Sequence, residues 1–445
     1  MRGGWKPLLR RSVVCATVPS TFQGLRRVRF RSAYFGVFFA ALALAGCGGR
    51  PTGVLQPSNA AAPGATKVDI LVATTRSADG AKPGEMFGGE RARGIAFADI
   101  AVSIPPDSAR KVGEVQWPQS LPGNPATDFV TLKADRIDGT AAEKLFNAEI
   151  AKLPRRHVLV FVHGYNTRFE EAVYRFAQIV HDAQAEVAPV LFTWPSRGKL
   201  LAYTYDRESA NYSRDALEAV LQGLAKNPRV AEISILAHSM GNVVTLEALR
   251  QMAIRDKAIA SKIKDVMLAA PDVDFDVFRR QVAQMGEKRP NFTLFVSQDD
   301  EALSISSKVW GGQARLGMID PNAEPYRSDL ENARFNVVDL TQVKSSDGLK
   351  HGKFAQSPLV VQAIGRRLAT GQALNDGQAG FGEKLGQVAS GAVSTVGKAA
   401  GLVISAPVAI IDGRTRDGLG DQIEGLGGQA GATFRAAAGQ ASVEQ

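Results

Sequence analysis

The sequence predicts an α/β fold, a mostly parallel sheet with helices packed on both faces. Two observations carry that expectation. From residue 157 onward, short runs rich in Val, Ile, Leu and Phe alternate with stretches of helical period. Runs that are apolar throughout belong to strands buried on both faces, and the helices between them supply the crossovers. The second observation is the string Glu-Ile-Ser-Ile-Leu-Ala-His-Ser-Met-Gly-Asn at 232–242, which reads as a buried strand, an abrupt turn at Ser239 and a helix start. With the small residues Ala237 and Gly241 flanking it, such a turn lifts a serine hydroxyl above the end of a sheet.

In chain order, 67–75 (KVDILVATT) and 97–104 (FADIAVSI) read as strands, separated by a Gly-rich loop containing Phe87-Gly88-Gly89-Glu90-Arg91. They form the antiparallel opening of the sheet. A strand at 157–162 follows, then an amphipathic helix over 169–186, a strand at 189–194 and a helix from about 213 to 226. The strand 232–237 leads through the turn to a helix over 241–252. Further strands at 265–270, 292–297 and 335–340 are separated by helices near 274–285 and 301–309, and 357–368 closes as a helix. Residues 67–370 therefore make one domain. Beyond them, 371–445 is dominated by Gly and Ala, with almost no aromatics and no strong period. Such a composition cannot bury a core and predicts a disordered tail.

The formal charge of +9 is concentrated at one end. Eight basic residues and no acids lie in 1–46, leaving +1 for the rest, so charge gives no case for a nucleic-acid partner. Arg26 to Arg31 precede an apolar run at 33–45, too short to span a bilayer, that ends Leu44-Ala45-Gly46-Cys47. This resembles the lipobox of bacterial lipoproteins, in which the cysteine becomes the lipidated first residue after removal of the signal peptide, here 1–46. The basic region is long for such a leader, which suggests a translation start downstream, at Val28. The resemblance implies export to the bacterial cell envelope and a membrane anchor at Cys47. Gly48 and Gly49 replace the aspartate that often retains lipoproteins at the inner membrane, which favours the outer one. Residues 47–66, rich in Gly, Pro, Ala and Ser, read as a flexible tether. Cys15 and Cys47 are the only cysteines, so the mature chain is expected to hold neither a disulfide nor a cysteine zinc site.

A serine hydroxyl is a weak nucleophile and needs a base, ordinarily a histidine oriented by a carboxylate. The five histidines are His157, His163, His181, His238 and His351. His157 opens a strand, and His181 lies in a helix. His163 precedes Gly164 at a strand end. His238 belongs to the turn itself and cannot curl back on its neighbour. His351 falls in the loop between the last strand and the last helix, over the sheet edge that carries Ser239. The order Ser…Asp…His places the acid between them. Asp300 fits best, at the start of a helix. Asp299 beside it, and Asp272, Asp274 and Asp276 after the preceding strand, are alternatives, and helix capping alone would also account for Asp300.

A tetrahedral intermediate needs donors for its oxyanion. One is the N–H of Met240, directly after the nucleophile. The other comes from His163-Gly164-Tyr165-Asn166-Thr167, with Tyr165 the first choice and Asn166 the second. Trp194-Pro195-Ser196-Arg197-Gly198 either lines the substrate pocket or forms a structural turn. Tyr203, Tyr205, Asp206 and Arg207 either do the same or open a charged helix. There is no G-x-G-x-x-G after the first strand, no P-loop and no H-E-x-x-H. Nothing therefore calls for a nucleotide or metal, and no cofactor is expected.

Val-His163-Gly164-Tyr165-Asn166, Ala-His238-Ser239-Met240-Gly241-Asn242, Ser297-x-x-Asp300-x-Ala-Leu and His351 make the chain resemble an α/β-hydrolase. More narrowly, it is similar to a bacterial esterase/lipase-like family, largely of unknown function. That family shares the Phe-Gly-Gly-x-Arg stretch, the strand ending Ile-Pro-Pro and the Phe-Thr-Trp-Pro-Ser segment. The resemblance covers about 67–370 and implies an α/β-hydrolase fold with an eight-stranded, mostly parallel sheet. It also implies a triad of Ser239, Asp300 and His351. Ala237 departs from the usual glycine. The expected function is a serine hydrolase that cleaves small-molecule or lipid carboxylic esters through an acyl-enzyme. An acyltransferase or peptidase with the same triad, or a non-catalytic lipoprotein scaffold, would share the fold.

Overall fold

The computed structural model describes residues 52–78, 84–345 and 347–370. The expected leader, the lipidation site at Cys47 and the tail over 371–445 lie outside the described residues.

Strands β1 (Thr66–Ala78), β2 (Phe87–Ile104), β3 (Val130–Ile137), β4 (His157–Val162) and β5 (Ala188–Thr193) are followed by β6 (Glu232–His238), β7 (Ile263–Ala269), β8 (Asn291–Val296) and β9 (Asn336–Asp339). They make one sheet in the order β3-β2-β1-β5-β4-β6-β7-β8-β9. β2 is antiparallel to both β1 and β3, and every other pairing is parallel. The helices are α1 (Gly139–Ile150), α2 (Phe169–Asp182), α3 (Tyr203–Lys226), α4 (Gly241–Asp256), α5 (Phe275–Met285), α6 (Glu301–Val309), α7 (Tyr326–Asn332), α8 (Lys353–Gln356) and α9 (Pro358–Thr370).

Alternation along each strand feeds two cores. In β4, Val158, Val160 and Val162 enter one core, and Leu159 and Phe161 enter the other. The first core is closed by Leu217 and Leu221 of α3, Leu246 and Leu249 of α4, and Phe278 of α5. The second is closed by Phe176 and Ile179 of α2 and by Val360 and Ile364 of α9. Each such side chain stabilises the fold by about 1.5–3 kcal/mol on burial, which explains why the parallel strands read as unbroken apolar runs.

The sheet has nine strands rather than the eight expected. The additional one is β3, an edge strand whose Asp135 and Arg136 are exposed and whose Lys133 pairs with Asp99 of β2. Charge protects such an edge from pairing with another chain and removes the apolar alternation by which a strand is read. The Phe87–Arg91 stretch is also strand rather than loop: Phe87 pairs with Ala78, Arg91 with Arg76. The tether expected over 47–66 needs a further correction. Val54 and Leu55 are buried, and the Val54 carbonyl accepts from Thr131 Oγ1 at 2.9 Å and Tyr174 Oη at 3.0 Å. Residues 54 and 55 therefore belong to the folded body. Helix α3 starts at Tyr203, ten residues earlier than its apolar period shows.

β6 lies inside the parallel region, with β4 on one side and β7 on the other. The loops leaving the carboxyl ends of β4, β6, β8 and β9 converge at one edge of the sheet, where open α/β sheets place their ligands.

Candidate active site

Ser239 sits between β6 and α4 with φ 51, a left-handed backbone conformation that costs a side-chain-bearing residue energy. The turn is held by its own polar groups. Ser239 N–H donates to the Ala269 carbonyl at 2.9 Å. The Ser239 carbonyl accepts from Asn242 N–H (3.1 Å), Asn242 Nδ2 (2.9 Å) and Asp272 N–H (3.2 Å). Two glycines are sterically required. A Cβ on Gly241 would lie 2.4 Å from the His163 carbonyl oxygen, and one on Gly164 would lie 2.9 Å from Ser239 Cβ. Ala237, in place of the usual glycine, is fully buried between Val162 and Leu268, where its methyl joins the core.

Asp300 and His351 are in contact. Asp300 Oδ2 lies 2.7 Å from His351 Nδ1, and Oδ1 accepts from Leu303 N–H at 2.9 Å, so one carboxylate caps α6 and holds the imidazole. The proton of that pair is on Nδ1, leaving Nε2 as an acceptor. Burial pushes the His351 pKa down, but the Asp300 charge and hydrogen bond outweigh it, with Asp347 and Asp272 adding, and the net shift is upward. Asp347 Oδ2 also accepts from the backbone N–H of His351 (2.8 Å) and Gly352 (2.9 Å), fixing the loop.

The other candidate acids have different partners. Asp299 accepts from Lys353 Nζ at 2.6 Å and Ser297 Oγ at 2.5 Å. Asp272 accepts from Tyr203 and Ser306, Asp274 caps α5, and Asp276 is exposed.

His163 supports the loop after β4. Its Nε2 accepts from Trp194 N–H at 3.1 Å and faces Arg76 Nη2 at 3.2 Å, so Nδ1 carries the proton and donates to the Gly164 carbonyl at 2.8 Å. Burial, reinforced by Arg76, drives its pKa well below the ordinary value and keeps it neutral. In the planar trans peptide that follows, the Tyr165 N–H points away from that carbonyl. Asn166 N–H donates to Asp206 Oδ2 at 3.3 Å. Met240 is the N-cap of α4, where its N–H precedes the first intrahelical bonds and the helix dipole favours negative charge.

Arg76 is the residue that sequence reasoning missed most completely. It is fully buried, and its guanidinium donates to the carbonyls of Gly88 (3.1 Å), Ser196 (2.8 Å) and Thr167 (2.8 Å). Burial pulls its pKa down to about 10, so it remains charged at neutral pH. Trp194 and Ser196 are buried and structural: Trp194 stacks on His163 at 4.9 Å between ring centroids, and Ser196 Oγ donates to Asp206 at 2.5 Å. Tyr205 lies between the guanidinium groups of Arg91 (4.8 Å) and Arg197 (3.6 Å). Among the described residues, no group of three or more His, Cys, Asp and Glu side chains is placed to hold a metal ion.

A family model described as an alpha/beta hydrolase of unknown function (DUF900) matches residues 138–367. The chain belongs to this family. The uncharacterized protein alr1448 of a Nostoc strain is 27% identical over 151 residues, covering 28% of this chain and 39% of the relative. The chain thus spans about two fifths of that relative's length. The siderophore hydrolase EstB from Aspergillus nidulans is similar at 11% identity and TM-score 0.28, over 69% of this chain and 95% of that one. A likeness that weak carries no argument about this protein.

Proposed function

We propose that this hydrolase cleaves carboxylic esters through an acyl-enzyme, with Ser239 as nucleophile, His351 as base and Asp300 as the acid that orients it. The observation that supports it is the 2.7 Å contact between His351 Nδ1 and Asp300 Oδ2, which leaves His351 Nε2 as an acceptor beside the turn. Ser239 Oγ attacks the ester carbonyl while its proton passes to His351 Nε2. The oxyanion is received by the N–H groups of Tyr165 and Met240. Collapse expels the alkoxide, which takes the proton back from His351. Water then attacks the acyl-enzyme by the same relay and frees the acid and Ser239.

A fluorophosphonate probe is expected to label Ser239, and p-nitrophenyl esters to be hydrolysed faster than peptides. Ester hydrolysis that survives Ser239→Ala would remove the mechanism, and transfer to an added alcohol faster than hydrolysis would make the protein an acyltransferase. We also propose that Cys47 carries a lipid anchor on the periplasmic side of the envelope. Radiolabelled palmitate should enter the wild-type protein, and equal incorporation into Cys47→Ser would refute the anchor.

A further inference from the structure

Three aromatic rings lead away from Ser239 and take no part in the proton relay. Tyr165 follows Gly164, whose Cβ position lies 2.9 Å from Ser239 Cβ. The Tyr165 ring meets Tyr203 edge-on with centroids 5.0 Å apart, and Tyr203 meets Trp310 at 6.1 Å. At the outer end Trp310 is 42% exposed and its chain neighbour Val309 57%, and Leu201, two residues before Tyr203, is 63% exposed.

This surface is pinned from behind. Tyr203 Oη donates to Asp272 Oδ2 at 2.6 Å and accepts from Trp310 Nε1 at 3.0 Å. Ser306 Oγ donates to Asp272 Oδ1 at 2.6 Å, and buried Arg315 Nε lies 3.6 Å from the same oxygen. The Asp272 N–H in turn donates to the Ser239 carbonyl at 3.2 Å, tying the aromatic row to the nucleophile turn. An indole serving only the core would be buried. This one keeps a face in solvent while its N–H is fixed to a largely buried hydroxyl, which makes a rigid apolar surface bordering a reactive group.

We propose that Tyr165, Tyr203, Trp310 and Leu201 form a subsite for an extended apolar chain of the ester bound at Ser239. This rests on the ester-hydrolase reading and names its substrate class. Each methylene that leaves water on the row strengthens binding about fourfold. The chain belongs to either the acyl or the alcohol half of the ester, and two series separate these. One compares kcat/KM for p-nitrophenyl octanoate with the acetate, the other octyl acetate with ethyl acetate. In one series the wild type should prefer the longer ester, and Trp310→Ala should lower that ratio about tenfold, with Trp310→Phe retaining part of it. A ratio unmoved in both series overturns the subsite.

Binding provides a readout independent of turnover. Decanoate added to the Ser239→Ala protein should change its tryptophan fluorescence, and the change should vanish when Trp310→Phe is added. Absence of a Trp310-dependent change overturns the subsite even if esters are cleaved. Absence of fluorophosphonate labelling overturns the hydrolase reading alone.

Discussion

His238 Nε2 donates to the backbone carbonyl of His351 at 3.3 Å, and the two rings lie 4.7 Å apart. The residue before Ser239 therefore holds the loop of His351. Burial, with the charge of His351 next, keeps the His238 pKa well below the ordinary value, so it acts as a neutral donor. His238→Phe should preserve the packing against Phe354, now 4.6 Å away between centroids, and lose the hydrogen bond. One neutral hydrogen bond predicts a fall in kcat of about fivefold, read from initial rates. An unchanged kcat would mean that the contact is packing only.

The pH dependence follows from His351. In the proposed relay its imidazole must be neutral to accept the Ser239 proton, and its pKa is raised. Activity should therefore be lost as pH falls through a value above the ordinary histidine range, giving an acid limb of kcat/KM above about pH 6.5. The stability linked to this group has the opposite sense. It is fully present below the unfolded pKa and is lost as pH rises through the folded one. Asp300→Asn removes the main raising cause, so the limb should move to lower pH while kcat drops about 10⁴-fold. A limb that stays in place would separate Asp300 from His351.

Gly164 and Gly241 should fail differently. A methyl on Gly164 presses on Ser239 Cβ and on His238 Nδ1, both 2.9 Å away, and displaces the loop that bears the Tyr165 donor. Gly164→Ala is expected to cost about 10²–10³ in kcat, the loss typical of one oxyanion donor. At Gly241 the methyl meets the backbone oxygens of His163 (2.4 Å) and Val162 (2.6 Å), which lie at the end of a core strand. Gly241→Ala should lower stability by about 1–3 kcal/mol, measured as a shift of the urea midpoint.

Arg76→Met tests the buried guanidinium. It leaves the carbonyls of Gly88, Ser196 and Thr167 without this donor. At about 1–3 kcal/mol for each buried group left unpaired, the loss should reach about 3 kcal/mol or more in urea unfolding. A midpoint unchanged from wild type would show that water replaces the guanidinium.

The parallel strands were legible because they are buried on both sides, so Val158 to Val162 and Ile233 to Ala237 carry no polar interruption except Ser234. Asp300 and His351 were legible through chain order and the rarity of histidine. What escaped reading depends on distant partners. Arg76 looks like an ordinary strand-end arginine, since its acceptors are backbone oxygens from three remote segments. Val54 and Leu55 stand among residues that favour loops, and only the pocket beside Tyr174 and Thr131 makes them core. His238 was recognised as unable to serve as base, but its bond to a carbonyl 113 residues away leaves no trace in local pattern.

Helix α6 has Asp300 as its first cap and Trp310 as its last. Nine helical residues make a rod of about 14 Å. That rod works as a ruler, with the carboxylate that holds His351 at one end and the exposed indole at the other. One inserted residue would swing the indole about 100° around the axis while the carboxylate stayed at its cap. The length and phase of this short helix therefore fix the spacing between the proposed bond-breaking site and whatever lies against the indole.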